Sequence, residues 1–121
     1  MVTKFKTIYR HIIEEERKIP EATGQLSDLL QDIALSCKII SLEVNRAGLV
    51  DILGLTGDVN VQGEEVKKLD EYANEILTHS MKVGGHTCAF CSEEEESFIP
   101  VEPVYAHNVL ENKYICHFDP L

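Results

Sequence analysis

The sequence predicts an α/β chain of the layered α+β kind, with three helices followed by the first strands of a sheet. Three observations carry that prediction. Apolar residues recur at helical spacing from Phe5 to Ala47 and again from Val66 to Ser80. Short apolar runs bounded by turn residues fill the last third of the chain. Helices therefore come first and strands last, and one sheet edge is expected to await further chain.

Phe5, Ile8, Tyr9, Ile12 and Ile13 form the stripe of an amphipathic first helix. Pro20 disfavours helical geometry at Ile19, so that helix should end near Lys18. Thr23 offers an N-cap hydroxyl for a longer second helix. Leu26, Leu30, Ile33, Cys37, Ile40, Val44 and Ala47 keep one seam facing a partner, while Leu29, Leu35, Ile39 and Leu42 add apolar surface elsewhere. Gly48 suits the C-terminal cap. Residues 49–63, with Gly54, Gly57 and Gly63, read as a mobile loop that could act as a lid. A third helix is expected from Glu64 and Glu65, with Val66, Leu69, Ala73, Ile76, Leu77 and Ser80 on its buried face, ending at Gly84-Gly85. The runs His86–Cys91, Phe98–Val101 and Lys113–Phe118 read as three strands.

The 121 residues suffice for one compact domain, and an apolar content of 44% is ordinary. A formal charge of −10 argues against nucleic acid and anionic membranes as partners, since both require a basic footprint. A cation cofactor would offset part of that charge. No run is long and apolar enough for a membrane span or a signal peptide, and four cysteines without such a signal point to free thiols in the cytoplasm.

Three groups of residues could carry chemistry. The run Ser92-Glu93-Glu94-Glu95-Glu96 reads either as a solvated acidic loop or as part of a cation site. Glu93 and Glu94 could share an ion only where the strand bends, because neighbours on a strand face opposite ways. Asp119 ends the last apolar run, and its Asp-Pro step equally opens a turn. Cys88, Cys91, Cys116 and His117 suggest zinc by type, but strand alternation sends Cys88 and Cys91 to opposite faces, so core thiols are the better reading. Thr23, Gly24, Gln25, Leu26 and Ser27 open the second helix with free N–H groups, which suits a phosphate and equally an ordinary capped helix.

Four stretches resemble the N-terminal part of class I fructose-1,6-bisphosphatase, in the family's order and near its spacing. They are PEATGQLSDLL (Pro20–Leu30), NVQGEEVKKLD (Asn60–Asp70), CSEEEE (Cys91–Glu96) and KYICHFDPL (Lys113–Leu121). The last looks like the opening of the DP(L/I)DG(S/T) signature of metal-dependent, lithium-sensitive phosphatases, here stopping at Leu121. The resemblance implies the sugar phosphatase fold, with a mixed sheet, and residues 1–121 as its N-terminal part, the C-terminal remainder being absent. It implies Mg²⁺, with Mn²⁺ or Zn²⁺ as substitutes, held by Glu93, Glu94, Asp119 and the carbonyl of Leu121. Asp70 and Glu94 would orient or deprotonate the attacking water, and Asn60 and Glu64 would belong to the dynamic loop.

The implied reaction is hydrolysis of the 1-phosphate of fructose 1,6-bisphosphate, a step of gluconeogenesis. AMP is the implied inhibitor, bound by Thr23, Gly24, Gln25, Leu26, Ser27, Lys113 and Tyr114, and the implied assembly is a homotetramer. Ala22, Gln25, Ser27, Glu64 and His117 depart from residues frequent in relatives, and His117 has no functional account. Residues 1–121 alone are expected to be inactive. Two alternatives stand beside this reading: sedoheptulose-1,7-bisphosphatase, and a non-catalytic AMP-binding or assembly module.

Overall fold

In a computed structural model, the structure describes residues 4–53, 59–101 and 114–120, with side chains for 4–46, 69–101 and 114–120. The elements are α1 (Ile8–Glu16), α2 (Gln25–Leu53), α3 (Val59–Val83), β1 (Thr87–Ser92), β2 (Ile99–Pro100) and β3 (Tyr114–Phe118). The three helices and three strands fall in the expected order.

Thr7 caps α1, its side chain accepting from the Arg10 N–H at 3.0 Å. The helix stops two residues before Lys18, and its last turn tightens through Lys18 N→Glu15 O and Ile19 N→Glu16 O bonds. Lys6 and Arg10 hydrogen-bond the Glu14 carboxylate and hold its pKa at about 2. Of the α1 stripe only Ile12 is buried, and Phe5 is 89% exposed.

The expected loop over residues 49–63 needs correction. α2 runs through Gly48 to Leu53 and α3 begins at Val59, so helices take residues 49–53 and 59–63, and residues 54–58 lie outside the described residues. A single interior glycine costs roughly 1 kcal/mol relative to alanine, which long flanking segments of good helix formers can offset. Gln62, Glu64, Glu65, Lys67, Lys68 and Leu69 supply those formers around Gly63. Asn60 and Glu64, expected on the loop, thus lie in α3, and their side chains fall outside the described residues. Glu64 and Glu65 do not start the helix, and its first turn holds no acidic residue.

The seam of α2 also differs from the expected one. Leu29, Ser36 and Ile40 are buried and Ile33 half-buried, whereas Leu26, Leu30 and Val44 are exposed. A helix apolar on several sides does not itself determine which side is covered; here α3 and the sheet select the Leu29–Ile40 line.

The strands form a mixed sheet in the order β2-β1-β3, with β1 antiparallel to β2 and parallel to β3. Gly85, at φ 78, turns the chain from α3 into β1. At this turn His86 Nε2 lies 3.6 Å from Asp32 Oδ2 of α2. Leu29, Met81, Phe90 and Val101 form one core cluster between helices and sheet, and Ile40, Ala73 and Leu77 form a second. Phe118 packs against both and stacks on Phe90 with ring centroids 6.0 Å apart. The last residue of β3 is therefore anchored in the core immediately before Asp119.

Candidate functional site

Parallel pairing explains why two carboxylates meet. Ser92 pairs with Phe118, so the next residues of the two strands, Glu93 and Asp119, leave the same edge of the sheet side by side. The Glu93 N–H donates to the Phe118 carbonyl at 3.1 Å and fixes that register at its last step. Neighbouring strands lie about 4.8 Å apart, within reach of two carboxyl side chains. In open α/β sheets ligands bind outside the carboxyl ends of the strands, and this pair stands at such an end.

Beyond Ser92 the backbone bends as two adjacent acidic ligands would require. The Glu95 N–H donates to the Ser92 carbonyl at 3.1 Å, closing a turn with Glu93 and Glu94 at its centre. Ser92 Oγ accepts the Glu94 N–H at 3.3 Å from inside the same turn.

The electrostatics report convergence. Asp119 pushes the Glu93 carboxyl above the usual carboxylate range, first by a hydrogen bond between the two side chains and then by its charge. Desolvation and the charges of Glu94 and Asp70 push the same way. Acidic residues of α3, the β1 turn and the end of β3 thus all act on Glu93. An open cavity of about 410 Å³ lies over the pair, lined by Cys91, Ser92, Glu93, His117, Phe118 and Asp119. The paired residues Cys91 and His117 line it beside Ser92 and Phe118, and Phe118 also packs against the core.

Among the described residues no group of three or more His, Cys, Asp or Glu side chains is arranged to hold a metal ion. The closely convergent unit is the Glu93–Asp119 pair, with Glu94 and Asp70 acting on it at longer range. The donor chemistry fits a hard divalent cation: all the groups are carboxylates, and their mutual repulsion is what a cation would relieve. Leu121, expected to add a carbonyl oxygen, lies outside the described residues.

The second group of predicted residues also comes together. Thr23, Gly24, Gln25, Leu26, Ser27 and Tyr114 share a cavity of about 470 Å³ between α1, α2 and β3. Lys113 lies outside the described residues. Gly24, and not Thr23 as expected, supplies the N-cap: its carbonyl accepts the Asp28 N–H at 2.9 Å. Its φ of 84 is a conformation that glycine adopts without steric cost.

A contact invisible in the sequence occupies this helix start. Ser27 Oγ donates to Glu16 Oε2 at 3.0 Å, and a Cβ on Gly24 would stand 3.1 Å from Glu16 Oε1. A carboxylate of the protein itself therefore sits at the positive end of α2. Glu15 and Glu21 line the cavity as well. Asn74, which bonds both Ser92 and Glu95, was also missed; its only sequence signal is its place one helical turn after Asp70.

Fold and site together define a layered α+β chain with an acidic centre at the carboxyl ends of two parallel strands. The family model of the fructose-1-6-bisphosphatase N-terminal domain matches residues 6–121. Fructose-1,6-bisphosphatase class 1 of Maridesulfovibrio salexigens is 52% identical over 120 residues, covering 99% of this chain and 34% of the relative. The protein of that name in Oleidesulfovibrio alaskensis is 50% identical, with 95% of this chain and 33% of the relative covered. A crystal structure of Leishmania major fructose-1,6-bisphosphatase in holo form superposes with a TM-score of 0.70 at 27% identity, over 95% of this chain and 31% of that one. The chain belongs to the fructose-1,6-bisphosphatase family and corresponds to its N-terminal domain. It spans about a third of the length of the curated relatives it matches.

Proposed function

We propose that this chain is the N-terminal, metal-binding part of a phosphatase that releases the 1-phosphate of fructose 1,6-bisphosphate. The observation that carries the proposal is the Glu93–Asp119 pair, with Glu94 and Asp70 acting on it, in a chain whose relatives are named for that activity. Glu93, Glu94 and Asp119, joined by the Leu121 carbonyl, would hold divalent cations, with Mg²⁺ the natural choice and Mn²⁺ or Zn²⁺ able to substitute. When bound, such cations polarise phosphoryl oxygens, favour ionisation of water and stabilise a leaving alkoxide.

The remaining work belongs to side chains of this chain. Asp70 and Glu94 orient the attacking water and accept its proton as it moves toward phosphorus. Asp70 belongs to α3, which packs on the core, and Glu94 to the hydrogen-bonded turn that follows β1. A bound cation would favour the ionised form of Glu93, against the repulsion from Asp119 that raises its pKa without one.

AMP regulation and assembly form part of the proposal. The cavity bounded by Thr23–Ser27 and Tyr114 is large enough for a nucleotide, and Lys113 would bring positive charge to its phosphate. A phosphate there must displace Glu16 from Ser27 and the α2 start, so binding carries a built-in competition. The exposed apolar stripe of α1 supports assembly into a homotetramer. Free thiols at Cys37, Cys88, Cys91 and Cys116 support a cytoplasmic setting.

The test is phosphate release by the full-length protein with fructose 1,6-bisphosphate and sedoheptulose 1,7-bisphosphate in parallel, with and without Mg²⁺. The expected result is Mg²⁺-dependent turnover that favours the fructose ester. Asp119→Asn should lower it by more than about 100-fold, beyond what loss of an outer-shell partner costs. Residues 1–121 alone should release negligible phosphate. Preference for the seven-carbon sugar would move the assignment to its bisphosphatase. AMP binding with no turnover by the full-length protein would favour a regulatory module.

A further inference from the structure

Asn74 and Asp70 stand four residues apart on α3, hence on the same helical face. Asn74 Oδ1 accepts the Ser92 hydroxyl at 2.5 Å, and its Nδ2 donates to Glu95 Oε1 at 3.2 Å. Ser92 is 5% exposed, and its oxygen also accepts the Glu94 N–H. The amide can be oriented in only one way here. A carboxylate accepts and does not donate, so Nδ2 faces Glu95 and Oδ1 is left for Ser92. The hydroxyl gives its one proton to Asn74 and keeps its lone pairs for Glu94.

A continuous path of hydrogen bonds thus runs from α3 through Ser92 to the Glu94 backbone, with a branch to the Glu95 side chain. The turn it braces carries four consecutive glutamates, which repel one another and would spread without a tether. A lysine in this place would brace the turn but also pair with the carboxylates a cation needs. An amide braces it without adding charge.

We infer that Asn74 is a positioning residue, which sets the acidic turn against α3 and so fixes Glu93 and Glu94 relative to Asp70. The inference rests on the reading of Glu93, Glu94 and Asp119 as cation ligands. Outer-shell partners of metal ligands commonly change affinity by about 10–100-fold when removed.

The test is Mn²⁺ binding to the full-length protein, followed by electron paramagnetic resonance, beside the metal-free unfolding midpoint. Asn74→Ala and Ser92→Ala should each weaken Mn²⁺ by about tenfold or more. The double variant should bind no more weakly than the weaker single one, because both cut the same path. Should Asn74→Ala fail to fold, Ser92→Ala carries the test by itself. Mn²⁺ affinity within twofold of wild type in the folded variants, whatever the midpoint does, overturns the positioning role alone. Additive losses in the double variant overturn the shared path. Absence of Mn²⁺ binding by the wild type overturns the cation site and this inference with it.

Discussion

Glu93 meets Asp119 because each is the first residue past the end of its strand, and the strands run parallel in register. Their repulsion gives a pH dependence whose sign is fixed. The Glu93 carboxyl is raised above its ordinary value of 4.5, so its stabilising contribution is present in full below that value. It is lost as pH rises through the raised value. The metal-free full-length protein should therefore lose thermal stability as pH climbs above 4.5, and Glu93→Gln should flatten that fall. A wild-type midpoint that rises relative to the variant over the same range would contradict the pairing. Nothing in residues 92–96 alone distinguishes this from a solvated loop, because the partner carboxylate lies 26 positions away across the sheet (119 − 93). The same holds for Glu16, which reaches Ser27 only after the chain has turned at Pro20.

At the scale of elements, β1 does most to place the site, since it pairs with both other strands and ends in the acidic turn. Phe90, fully buried at its centre, touches the core cluster and stacks on Phe118. Phe90→Ala should cost about 3–5 kcal/mol, read from denaturant unfolding of the full-length protein. A cost under about 1 kcal/mol would mean that the stack does not anchor the strand ends. The three strands were legible from short apolar runs between turn residues, and the end of α3 from Gly84-Gly85. The end of α2 and the start of α3 were not. Gly48 and Gly63 look like helix stops locally, but each sits inside a segment long enough to outweigh one glycine. The α2 seam is not legible for a different reason: its apolar residues lie on several faces, and α3 and β1 decide which are buried.

For the whole molecule, the two cavities lie at opposite ends of β3. Tyr114, at its start, faces the α2 helix terminus, and Asp119, just past its end, faces the acidic turn. A five-residue strand thus joins the proposed nucleotide site to the proposed cation site, with Cys116 and Phe118 between them held in the core. On the proposed reading, the ends of β1 and β3 hold one cation between them. A crystal structure of the full-length protein grown with Mn²⁺ tests it most directly, through the anomalous signal of the ion. The account predicts an anomalous peak with carboxylate oxygens of both Glu93 and Asp119 in its coordination shell. A peak bound elsewhere, with these two side chains still paired through a shared proton, would contradict it.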